Sequence, residues 1–88
     1  MINQFVIMGK FETLLSNAVI ITIIQEKNAV EQTLSVEVSP TIIGKIKEFH
    51  IKPGELMGVK GHLAGDNMFP KLVADKVTFC MKGGELYE

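Results

Sequence analysis

The hydrophobic period of this chain changes twice. Up to Ser39, apolar residues run in β-branched blocks or alternate with polar ones. Ile42, Ile43, Ile46 and Phe49 then recur at helical spacing, and alternation returns after Pro53-Gly54. A period of two marks a pleated strand, and a period near 3.6 marks one face of a helix. A single short helix enclosed by extended segments predicts a small all-β domain with one helix inserted. At 88 residues the chain suffices for one such domain with a thin core.

Residues 2–11 read as a first strand, with a bulge or bend near Gly9. "LLSNA" at 14–18 turns the chain, and "VIITII" at 19–24 is a second strand, apolar on both faces. A polar connection with Asn28 near its tip leads to a third strand. There Leu34, Val36 and Val38 alternate with Ser35, Glu37 and Ser39. Ser39 is a helix cap and Pro40 suits the first turn, so the helix is expected over 40–50. "KPGE" at 52–55 is a type II turn signature. The fourth strand runs from Leu56 to about Ala64, with Met57, Val59 and Leu63 on one face and Lys60 and His62 on the other. After "GDNMFP", residues 71–80 form the fifth strand, with Val73, Val77 and Phe79 inward. Three strands, a helix and two strands is the order of the five-stranded OB-fold barrel. Glycines relieve crowding where barrel strands coil, and Gly9, Gly58 and Gly61 are expected to serve there. The domain spans 1–80, and 81–88 reads as a short polar C-terminal tail.

Nine lysines, no arginine and ten acids leave a net charge of −1, so a basic surface would have to be local. Without arginine, the usual bidentate reader of guanine is missing. Cys80 is the single cysteine, and His50 and His62 lack metal-ligand spacing; no disulfide, metal or cofactor is expected. A reducing, cytoplasmic setting follows as the expectation, with no signal peptide and no membrane-spanning run. No carboxylate is spaced to orient either histidine, Asp66 and Asp75 read as turn and surface residues, and no enzyme activity is expected.

"MIN" with "FVIMGK", then "IKPGELMGVKGHL", then "LVADKVTF" occur in the order in which they bracket residues 1–80. In these pieces the chain resembles the bacterial single-stranded DNA-binding protein family. The resemblance implies an OB-fold, DNA binding without catalysis, and assembly as a dimer or tetramer. It also implies a first-strand contact, here Ile2, Phe5 and Ile7. The family's base-stacking aromatics are mostly missing: "IIQEKNA" and "TLSVEVS" contain none, and "GDNMFP" contains only Phe69. The loops that are long in the family are short here, and "GGELYE" ends in acids but is short and lacks the family's Phe-ended tip. The resemblance is thus to a reduced or divergent member, of the size of the primosomal PriB proteins.

Lys10, Lys60, Lys71 and Lys76, with His62, are the candidate phosphate contacts on strands, and Phe69 is the candidate stacking residue. Phe11 could also stack, although a core or interface position suits it better. The helix lysines Lys45 and Lys47 read as a solvated face. A second reading, favoured by the missing aromatics, is an OB scaffold that contacts replication proteins rather than DNA.

Overall fold

The computed structural model describes residues 3–25, 30–65, 68–80 and 84–87. Strands β1 (Phe5–Leu14), β2 (Ala18–Gln25) and β3 (Val30–Glu37) precede helix α1 (Pro40–Glu48). Strands β4 (Leu56–Gly65), β5 (Pro70–Phe79) and β6 (Gly84–Tyr87) follow it. The sheet runs β3-β2-β1-β4-β5-β6, and a parallel contact between β3 and β5, Val36 opposite Leu72 and Glu37 opposite Val73, closes the first five strands into a barrel. This is the expected five-stranded OB architecture, with its helix between β3 and β4.

Closure requires long strands to serve two partners each. β1 pairs with β4 from Phe5 to Lys10 and with β2 from Lys10 to Leu14. β5 pairs with β3 near its start and with β6 from Lys76 to Phe79. The strand β6 lies within the segment expected to be a polar tail; its four residues carry no alternation long enough to announce a strand. Asn3 extends the β1–β4 ladder through its side chain, with its Nδ2 donating to the Leu63 carbonyl and the Leu63 N–H donating to its Oδ1, each at 2.9 Å.

The core collects the alternating residues of all five barrel strands: Phe11, Val19, Ile21, Val36, Met57, Val59, Ala74, Val77 and Phe79. Helix α1 adds Ile42 and Ile46, and the Phe49 ring meets Phe79 edge-on at 5.7 Å. Ser39 Oγ accepts from the Ile42 N–H at 3.2 Å, as its capping role required. The helix ends with the Ile51 N–H donating to Ile46 and the His50 N–H to Lys47, a Schellman arrangement that puts His50 at φ 54°. The 52–55 turn closes through the Glu55 N–H to the Lys52 carbonyl. It docks on β1 where the Gly54 N–H donates to Phe11 and the Phe11 N–H to Glu55.

Two bulges change the expected side-chain phase. Glu12 is the extra residue of β1 opposite β2, so the irregularity lies three residues beyond Gly9. Asp75 is the extra residue of β5 opposite β4. It brings Ala74 into the core and leaves Val73 half-buried, where unbroken alternation had put Val73 inward. Leu63, expected in the core, lies past the last buried position of β4 and is exposed.

Candidate nucleic-acid interface

Paired residues in an antiparallel ladder place their side chains on the same face. The register therefore decides which of the candidate side chains can act together. Lys10 is opposite Leu56, Val6 opposite Lys60, and Lys60 opposite Lys76; beyond the Asp75 bulge, His62 faces Val73 and Ala64 faces Lys71. Lys10, Lys60, His62, Lys71 and Lys76 consequently share the outer face of β1, β4 and β5. From Lys60, Lys10 and Lys71 each lie about four residues away along the strands, roughly 13 Å. Lys10, Lys60 and Lys71 are exposed, and they form no ion pair among the described residues.

Lys60 and Lys76 stand directly across the β4–β5 ladder from each other. Two lysines in that position bring their side chains to one point of the outer face. The surface beside them is a shallow groove of about 210 Å³ lined by Val6, Met8, Gly58, Lys60, Lys76 and Thr78. Gly58 forms part of it: a Cβ there would meet only ordinary contacts, the nearest being Met8 at 3.4 Å. Gly58 is thus a groove residue, whereas the other two glycines are close-approach points. A Cβ on Gly9 would lie 2.6 Å from Ile21 and 2.7 Å from the Thr22 carbonyl, and one on Gly61 would strike the Val73 carbonyl and the Phe5 ring.

His62 differs from the lysines. Both oxygens of Asp75 lie 3.0 Å from its Nδ1, an orienting carboxylate that sequence spacing concealed because the bulge creates it. With its Nδ1 engaged by Asp75 and that carboxylate's negative charge beside the ring, His62 offers a phosphate less attraction than the lysines around it. Phe69 lies 71% exposed at the β4–β5 hairpin tip, beside Met68. Phe11 is buried, which removes it as a stacking residue. On the helix, Lys45 is engaged by Glu48 at 3.0 Å and sits 5.9 Å over the Phe49 ring, so it belongs to the helix's own solvated surface.

Of the expected contact residues on β1, Phe5 and Ile7 are half-buried against the core, and Ile2 lies outside the described residues. The apolar side chains that β1 exposes are Val6 (78%) and Met8 (59%). Asn28 and Asp66 also lie outside the described residues.

Sequence reasoning missed a second concavity. A groove of about 470 Å³ runs between the β1–β2 turn, β3 and the start of β5, and its lining includes Asn17, Thr33, Ser35, Glu37 and Lys71. Ser35 and Glu37 were visible as the polar side of an alternating strand, and Thr33 precedes them on the same face. Their position beside β5 depends on barrel closure. Lys71 borders both surfaces. Among the described residues no group of three or more His, Cys, Asp or Glu side chains could hold a metal, and no helix is long and apolar enough to cross a membrane.

No protein-family model matches the chain, and no curated protein matches it in sequence. Among solved structures it is similar to the N-terminal domain of PriB protein from Thermoanaerobacter tencongensis, described as a dimeric structure. The TM-score is 0.64 at 14% sequence identity, and the match covers 98% of each chain. At that identity the similarity is one of fold: the chain folds as that OB domain does.

Proposed function

We propose that this chain is a non-catalytic single-stranded DNA-binding protein of replication, recombination or repair, acting in the cytoplasm. It grips the phosphodiester backbone through Lys10, Lys60, Lys71 and Lys76 and stacks a base on Phe69. The observation that carries this reading is the gathering of those lysines on one sheet face in a chain whose net charge is −1. Phosphate contacts by lysine give affinity without sequence preference. One stacking platform adds about 1–3 kcal/mol, so charge carries most of the binding. The similarity to an OB domain described as dimeric supports the assembly of this chain as a homodimer.

Lys10→Glu and Lys60→Glu test the reading by fluorescence anisotropy with a labelled oligonucleotide. Each is expected to weaken binding and to lower the salt slope by about 0.7 or more. Lys47→Glu, on the exposed helix surface, is expected to bind like the parent. If both strand variants bind like the parent, the lysine face is not the contact. A protein-interaction module is the second reading, favoured by exposed Val6 and Met8 on the same face; it requires that no oligonucleotide bind even at low salt.

A further inference from the structure

The larger groove contains a carboxylate where a polyanion would meet repulsion. Glu37 ends β3 at a three-strand junction, with Ala18 of β2 on one side and Val73 of β5 on the other. It is half-buried and forms no ion pair among the described residues. Lys71 lines the same groove without pairing to it. Thr33, Ser35 and Glu37 alternate along β3 and so share one face, giving two hydroxyls followed by a carboxylate. At about 470 Å³ the groove is large enough for a nucleotide.

A carboxylate beside a bound strand raises affinity only by accepting hydrogen bonds from bases. An ionised carboxylate is acceptor-only, with two oxygens side by side. Guanine presents two adjacent donors to it, N1–H and the N2 amino group. Adenine and cytosine present one amino group beside an acceptor nitrogen. Thymine presents one imino N–H between two carbonyls, which repel the carboxylate. Unstacked single-stranded bases expose these edges to a protein.

Building on the DNA-binding reading, we propose that Glu37 is a specificity-determining residue: it accepts from the Watson–Crick edge of a guanine while Lys71 holds a neighbouring phosphate. The chain then prefers strands with guanine at one position, and the four-lysine face remains indifferent to sequence. Glutamate supplies the discrimination that the missing arginines cannot.

The test is anisotropy with a labelled oligothymidylate of about a dozen nucleotides, against the same strand carrying one central guanine. A single guanine avoids quadruplex formation. The parent is expected to bind the guanine strand about tenfold more tightly, the scale of one bidentate base contact. Glu37→Gln is expected to erase that preference and to bind the all-thymine strand more tightly than the parent does. Equal parental binding to the two strands overturns the inference and leaves the lysine-face reading intact. So does a guanine preference that survives in Glu37→Gln. Failure to bind either strand overturns the DNA reading and the inference with it.

Discussion

At the scale of single residues, the glycines separate by what their missing Cβ would touch. Gly61 lies under the Val73 carbonyl and the Phe5 ring, backbone and ring atoms with little room to retreat. Gly61→Ala is expected to cost about 3 kcal/mol, the upper range of overpacking. Gly58→Ala, facing the outer groove, should change stability by less than about 0.5 kcal/mol. Urea denaturation of the two variants checks the pair, and equal losses would contradict the account. His50 makes a complementary case. Its φ of 54° is a left-handed conformation that a side chain resists and glycine accepts. His50→Gly is expected to stabilise the fold by about 1 kcal/mol in the same experiment; a loss would mean that the imidazole contributes more than its backbone strain costs.

At the scale of elements, periodicity made the strands and helix readable, and pairing limited what could be read. Met57 and Val59 were legible as inward, and Lys60 as outward, because β4 alternates without interruption there. The inward face of β5 was misjudged at Val73, because the bulge at Asp75 arises from matching β5 to β4 and leaves no mark in β5 itself. The same bulge makes the Asp75–His62 pair, invisible at a separation of 13 residues. The lysines were legible singly; that Lys60 and Lys76 oppose each other is a property of register. β1 also carries an expectation of assembly. Its ladder to β2 begins at Lys10, so the edge of Phe5–Met8 away from β4 has no strand partner among the described residues. Two copies pairing along that edge would satisfy its backbone groups and bring their exposed Val6 and Met8 side chains together. Sedimentation equilibrium at low micromolar concentration is expected to give about twice the 9.7 kDa chain mass. Val6→Asp should shift the protein toward monomer, whereas a parent mass of one chain would remove the dimer from the account. Val6 is the better probe than Ile7, whose burial against the core would confound loss of pairing with loss of folding.

At the scale of the whole molecule, nearly balanced charge is distributed unevenly. Four lysines occupy one outer face of the barrel, and the groove beyond Lys71 mixes polar groups and Glu37 with apolar side chains such as Leu15 and Leu34. The barrel coils β1, β4 and β5 so that positions distant in sequence form one surface, and this is how a chain of −1 net charge can present a polyanion site. The central claim is that charge on this face supplies most of the affinity for single-stranded DNA. The direct measurement is the affinity of the parent protein for a labelled oligothymidylate over a range of salt concentrations. Four lysine–phosphate contacts predict a log–log slope of about −3. A slope near zero, or no binding at the lowest salt, would contradict the claim.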